Sequence, residues 1–248
     1  MLTINDILLY TKGCLLSGNP NAKISGVSTD TRNLKKGELF VALQGKNFNG
    51  HKFIKLAIEK KASAVLISDK SVVSKVKIPV IYCSDTLKAY CDIARGYRSK
   101  FSIPVIAITG SVGKTTTKEL IAKVLSKHFC LLKNYQTENN EIGVAKTLLK
   151  IHPRHEVAVL EFGTNHFGEI DRLAHMGRPT AAVLTNIGDS HLEFLKNRQG
   201  VFREKSDIFR EINNKGNIIY NNDDPRLRTI HKKRLLAHTI TFAIDSKA

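Results

Sequence analysis

VIAITGSVGKTTTKEL, residues 105–120, is the stretch whose reading decides the fold. Val105 to Ile108 is a short apolar run after Pro104, the composition of a strand buried on both faces. Gly110 and Gly113 permit backbone angles that other residues avoid. From Lys118, Glu119 and Leu120 onward, through Ile121, Val124 and Leu125, the apolar spacing becomes helical. In a strand, glycine turn and helix, backbone N–H groups at the helix N-terminus converge on an anion. Lys114 adds a mobile positive charge for β- and γ-phosphates, and Thr115 a hydroxyl where Mg²⁺ would sit. Ser111, Val112 and Thr116 fill the rest of the turn. The general G-x-x-x-x-G-K-[ST] pattern needs a glycine where this chain has Ile108, so the loop is a shorter G-x-x-G-K-T, Gly110 to Thr115. A chance turn between strand and helix is the bland alternative. Against it, the lysine, the threonine and both glycines all fall at the offsets a nucleoside triphosphate needs.

Downstream of this loop the chain alternates regularly. A polar loop around Asn134 to Glu141 leads to a helix at Ile142 to Lys150, then a strand at Val157 to Phe162. A loop and short helix precede a strand at Ala181 to Thr185, and a helix around Val201 to Glu211 precedes a strand at Asn217 to Tyr220. This is an α/β pattern with a parallel sheet, in which ligands bind at the carboxyl ends of strands. EFGTN, TNIGDSH and YNNDD all follow apolar strands at such ends. Upstream, residues 1–98 read as a separate, smaller α/β unit. It has β-like pieces at Ile24 to Val27 and Glu38 to Leu43, a helix then a strand at Ala64 to Ile67, a strand at Val80 to Cys83, and an amphipathic helix in TLKAYCDIARGYRSKF. Residues 99–248 form the second domain, joined through Ser102 to Pro104.

Composition narrows the function classes. The 248 residues carry 39 Lys plus Arg against 22 Asp plus Glu, a formal net charge of +17. The lysines are dispersed, with only short clusters such as HKKR at 231–234, and no zinc-finger spacing or aromatic RNA-binding signature accompanies them. Anionic small ligands are therefore expected rather than nucleic acid. No apolar run approaches the ~20 residues of a membrane span. MLTINDILLYTKG lacks the basic start and small-residue cleavage site of a signal peptide. Cys14, Cys83, Cys91 and Cys130 are scattered, which suits a reduced cytoplasmic compartment better than a disulfide or metal framework.

Several single residues gain weight only together. Glu161 ends one strand, and Asn186, Asp189 and His191 follow another. Lys205 lies in REKSDIF on a helix. A strand-end glutamate is usually solvated, a lone histidine is more often structural than a ligand, and a helical lysine usually faces water. Beside a phosphate loop, however, Glu161 and His191 could complete the shell of Mg²⁺.

With GSVGKTTTKE, NNEIGVAKTLL, EFGTNHFGEI, TNIGDSHLEFL and REKSDIF in this order, nearly the whole chain resembles the Mur ligase family, the ATP-dependent amide-bond ligases of bacterial cell-wall precursor synthesis. STDTR followed by GELFVALQGKNFNGHKFI is most similar to the members that add D-alanyl-D-alanine to UDP-N-acetylmuramoyl tripeptide. The resemblance implies that Gly110, Ser111, Val112, Gly113, Lys114, Thr115 and Thr116 hold ATP phosphates, and that Asn221 contacts adenine. It implies Mg²⁺ at Thr115, Glu161, His191 and Lys205, the lysine acting as a carbamate. It makes Lys114, Glu161, His191 and Lys205 the catalytic set. Ser28, Thr29, Asp30 and Arg32 would contact the UDP end, with Asn139, Asn140, Thr164 and Asn165 near the muramoyl peptide.

The chain also departs from the family pattern. Ala145 and Lys146 replace a proline and an apolar residue, and Thr137 replaces an asparagine. TITFAIDSKA stops where family members continue into the rest of the ATP-binding domain and a C-terminal domain. Three origins fit: a fragment, a shortened gene, or half of a split protein whose C-terminal domain is a separate chain. The expected activity is correspondingly that of an ATP-dependent ligase, with this chain alone inactive. The alternatives are a module that binds the UDP precursor or nucleotide without turnover, and another ligase of the same fold such as a folate-extending one, which lacks the STDTR-bearing domain.

Overall fold

A computed structural model describes residues 1–45, 47–136, 138–232 and 237–245. Contacts divide the chain into two compact units, Met1–Lys100 and Phe101–Ala248. Among the described residues no helix is long and apolar enough to cross a membrane, and no two of the four cysteines form a disulfide.

The first unit runs β1 (Leu2–Thr3), α1 (Ile4–Thr11), β2 (Cys14–Ser17), β3 (Lys23–Ile24), β4 (Val27–Ser28), β5 (Leu39–Val41), α2 (Ile54–Glu59), β6 (Ala64–Ile67), β7 (Val80–Tyr82) and α3 (Thr86–Arg98). Its five-stranded sheet has the order β2-β7-β6-β5-β4, parallel except for the edge strand β2. Phe40, Ala42, Val65, Ile67 and Val80 pack with Ile54 and Ala57 of α2 to form its core. The single piece expected at Ile24 to Val27 is two strands in different sheets. Ser25 and Gly26 break it, so β3 pairs with β1 and β4 with β5. The N-terminal stretch forms β1 and α1, started by a capping box in which Thr3 and Asp6 exchange hydrogen bonds.

The second unit contains β8 (Val105–Thr109), α4 (Lys114–Leu125), β9 (Leu131–Lys133), α5 (Glu141–Leu148), β10 (Val157–Glu161), α6 (Glu169–Gly177), β11 (Ala181–Leu184), α7 (Leu192–Leu195), α8 (Arg198–Ser206), β12 (Asn217–Asn221) and β13 (His238–Phe242). Its six strands are all parallel, in the order β13-β12-β11-β8-β10-β9. Such a sheet needs apolar residues on both faces. Accordingly every residue of VAVLE in β10 is buried. Strands leave β8 in opposite directions, toward β10 and toward β11, so its carboxyl end is a topological switch point. The register sets Glu161 beside Ile108 and Leu184 beside Thr109, which brings three of the sequence motifs to one edge.

Three elements differ from the sequence expectation. The phosphate-loop helix starts at Lys114 rather than Lys118, because its first turn is Lys-Thr-Thr-Thr and carries no apolar periodicity. β9 has only three residues, too few to show a pattern. β13 is an edge strand whose apolar residues stand largely in solvent, with Ile240 50% and Phe242 42% exposed, so no burial signature marks it.

Candidate functional site

Gly110 and Gly113 shape the loop after β8. Gly110 has φ +154° and a Cβ there would stand 1.9 Å from the Thr185 hydroxyl, so β11 and the loop meet only over a glycine. Gly113, with φ +81°, caps α4 in the left-handed conformation. Residues on the neighbouring TNIGDS loop clasp the turn from the other side. Val112 N–H donates to Asn186 Oδ1 (2.9 Å), Gly188 N–H donates to Ser111 Oγ (2.9 Å), and Ser111 Oγ lies 3.0 Å from Ser190 Oγ. Val112 and Thr116 are exposed.

Lys114 does not extend into solvent. It is half-buried and folds back over the turn, its Nζ donating to Gly110 O (2.9 Å) and Ser111 O (3.3 Å). Burial lowers its pKa, opposed by the charge of Glu161. Thr115 Oγ1 donates to Glu161 Oε2 at 2.7 Å, and Asn139 Nδ2 donates to Glu161 Oε1 at 2.9 Å. Glu161 is 2% exposed.

Two residues that the sequence reading did not single out hold this carboxylate. Asn134, fully buried, brackets the Glu161 backbone with bonds to its O (3.0 Å) and from its N–H (2.9 Å). Lys118, also fully buried, donates to Asn134 O (3.0 Å) and lies 3.9 Å from Glu161 Oε2. Neither carries a signal in the sequence, since Lys118 stands between Thr117 and Glu119 and Asn134 between Lys133 and Tyr135, neighbours that surface residues share.

A second cluster forms around α8. Lys205 is 1% exposed, against the ordinary habit of helical lysines. Burial first, and then the Lys114 charge, bring its pKa down from 10.5 to about 8, while Glu204 opposes the fall. Glu204 was also missed. It is fully buried and accepts from Gly168 N–H (2.6 Å), Ile170 N–H (2.8 Å) and Thr164 Oγ1 (3.0 Å), fixing the loop between β10 and α6. Asn165 N–H donates to Glu169 in the same loop. An open cleft of about 630 Å³ adjoins the cluster, lined among others by Phe167, Gly168, Gly200, Arg203 and Glu204.

His191 is exposed, in the left-handed region at φ +52°, and precedes α7. Its pKa is lowered by burial first, then by the positive charges of Lys205 and Lys114. An imidazole whose protonation is disfavoured, on a residue in the left-handed backbone region, is available as a ligand.

Other sequence-selected residues make local contacts of their own. Asn140 caps α5 by accepting from Gly143 N–H (2.9 Å). Asn221 ends β12 and accepts from Asp223 N–H (2.9 Å), while neighbouring Asp224 holds Ile187 N–H (2.7 Å). Ser28, Thr29, Asp30 and Arg32 belong to the first unit. There Ser28 Oγ pairs with the Asp30 backbone, and the Arg32 guanidinium, 87% exposed, rests on the Asp30 carboxylate at 2.7 Å. Lys146, one of the departures, is an exposed lysine whose Nζ contacts Glu138 Oε1 at 2.5 Å, and Ala145 beside it is buried. Thr137 lies outside the described residues, as do Lys233 and Arg234 of the HKKR cluster.

The donor set fits a small hard cation in part. The Thr115 hydroxyl and the Glu161 carboxylate are converging oxygen donors, as Mg²⁺ prefers, and a phosphate chain would supply others. The Lys205 ammonium cannot ligate a cation as it stands; a carbamate can.

Residues 108–248 match the Mur ligase middle domain, and residues 23–98 match the Mur ligase family, catalytic domain. The chain belongs to the Mur ligase family. Among the relatives of this Mur ligase chain is the UDP-N-acetylmuramoyl-tripeptide--D-alanyl-D-alanine ligase of Synechocystis sp., 38% identical over 98% of this chain and 54% of the relative. Among solved structures, MurF from Acinetobacter baumannii superimposes with a TM-score of 0.90 at 30% identity, covering 97% of this chain and 53% of that one. MurF ligase from Thermotoga maritima in complex with ADP gives 0.81 at 29% identity, covering 89% and 51%. The chain therefore spans about half the length of the curated relatives it matches.

Proposed function

We propose that this chain carries the nucleotide-sugar-binding and ATP-binding portions of a ligase joining D-alanyl-D-alanine to UDP-N-acetylmuramoyl tripeptide. Residues 1–98 serve the UDP end of the precursor, and residues 99–248 serve ATP, in the cytoplasm where both are made. One observation carries the reading: Lys114, Thr115 and Glu161 converge at the switch point of a parallel sheet, with a buried, easily deprotonated lysine close by. The relative solved with ADP supports a nucleotide in that place.

A carboxylate is a poor electrophile and does not condense with an amine directly. The precursor's terminal carboxylate attacks the γ-phosphorus of ATP, the bond to the bridging oxygen breaks, and ADP leaves. The amine of D-alanyl-D-alanine then attacks the acyl carbon, inorganic phosphate departs, and the amine loses a proton. Lys114, freed from the Gly110 and Ser111 carbonyls, supplies positive charge where the phosphoryl group is transferred. The Gly110 to Thr116 backbone cradles the phosphates, and Asn221 meets the adenine. Thr115, Glu161 and His191 would hold Mg²⁺, which would supply further positive charge against the phosphoryl oxygens. Lys205 as free amine adds CO₂ at its nitrogen and loses a proton, and the resulting carbamate would offer the cation a further oxygen ligand. Ser28, Thr29, Asp30 and Arg32 position the diphosphate and uridine, while Asn139, Asn140, Thr164 and Asn165 face the muramoyl peptide.

Calorimetric titration with UDP-N-acetylmuramoyl tripeptide tests the substrate assignment. The expected result is saturable binding that Arg32→Ala weakens at least about tenfold, the scale of losing a charge-assisted contact. Failure to bind the UDP precursor, or equal binding of a reduced folate, would contradict it. Lys205 is tested by labelled bicarbonate at about pH 8: a carbamate signal is expected in the wild type and absent from Lys205→Met.

A further inference from the structure

Lys118 is a buried cation that the reaction does not use. It stands one turn beyond Thr115 on α4, so both side chains leave the same helix face. Its ammonium is fully enclosed and cannot swing aside. Nζ is held by Asn134 O at 3.0 Å and by Glu119 Oε1 at 3.2 Å, and it approaches Glu161 Oε2 at 3.9 Å. Glu119 is itself shared with Lys133. Glu161 Oε2 is the same oxygen that accepts from Thr115.

We propose that Lys118 is a positioning residue which carries the counter-charge of Glu161 in the nucleotide-free protein and makes the divalent cation enter together with the nucleotide. This rests on the reading of Glu161 as a metal ligand. A cation approaching Glu161 alone meets a fixed ammonium at the same oxygen, and Lys114 adds to the repulsion. Phosphate charges reverse that balance, so the metal is held only once the nucleotide is present. The device keeps a nearly buried carboxylate paired and aimed at Thr115 without a resident metal.

Mn²⁺ binding to the 248-residue chain, followed by electron paramagnetic resonance, tests the proposal without recourse to activity. Lys118→Gln keeps a donor for Asn134 O and removes the charge. It should tighten binding of Mn²⁺ alone at least about tenfold, since a unit charge near a dication is worth that much even at moderate dielectric. Lys118→Arg should bind Mn²⁺ as the wild type does, and adding Glu161→Gln should abolish the gain. A purely structural lysine would weaken binding or leave it alone when replaced, and either result in folded Lys118→Gln overturns the proposal. The wild type supplies a test independent of the variants: Mn²⁺ held as tightly without ADP as with it also overturns it. If Glu161→Gln leaves Mn²⁺–ADP binding unchanged, the metal-ligand reading fails instead. If that variant weakens Mn²⁺–ADP while Lys118→Gln gains nothing, only this inference fails.

Discussion

Lys205 shows how burial turns an ordinary side chain into a reactive one. The unfolded chain holds its proton up to the usual lysine value, whereas the folded site releases it near about 8. Between these values the unfolded state binds more protons, so stability rises with pH through that window; below it the full cost of burying the charge is present. The cost is on the order of 3 kcal/mol. Urea midpoints measured from about pH 7 to about pH 10 should therefore rise more steeply in the wild type than in Lys205→Met. Parallel curves would show that the ammonium is not penalised. The same residue marks a limit of the sequence. REKSDIF suggests a helix with alternating charges, and only the packed helix shows Glu204 and Lys205 both turned inward.

At the scale of elements, loops at the carboxyl ends of β8, β10 and β11 hold one another. Gly110→Ala would place a methyl group against Thr185 and strain a left-handed backbone. The expected outcome is a lower melting temperature and loss of nucleotide binding, read by calorimetry; a variant that binds ADP normally would contradict the close approach of loop and strand. Glu204→Ala would leave the Gly168 and Ile170 N–H groups without their acceptor. We expect a loss of at least about 3 kcal/mol in chemical denaturation, because one buried and one half-buried donor lose a charged partner. The phosphate loop, the strand before it and the strand ending at Glu161 were legible because glycine spacing and fully apolar runs are local signals. Asn134, Lys118 and Glu204 were not, because they satisfy backbone groups brought near only by the tertiary fold.

At the scale of the whole molecule, the alternation of strand and helix identified a parallel sheet. The edge elements escaped: β9 is too short for periodicity, and β13 is too exposed. The proposed division of labour between the two units has its own consequence. UDP and ADP should each raise the thermal stability of the chain, and their effects should add, as expected for independent sites. Given the precursor, ATP, Mg²⁺ and D-alanyl-D-alanine, these 248 residues should yield little amide, since the matched relatives are about twice as long and closing an active site over a reactive acyl phosphate takes further structure. Product at about 1 s⁻¹ or faster would show that half to be sufficient.

The turn after β8 is proposed to be a working ATP site built around Lys114. Titration calorimetry with Mg²⁺ and a non-hydrolysable ATP analogue tests it most directly. One saturable site is expected in the wild type, and binding at least about 100-fold weaker in Lys114→Ala, the loss expected for a buried charge-assisted phosphate contact, with an unchanged circular dichroism spectrum. No binding by the folded wild type, or equal binding by the variant, would contradict it.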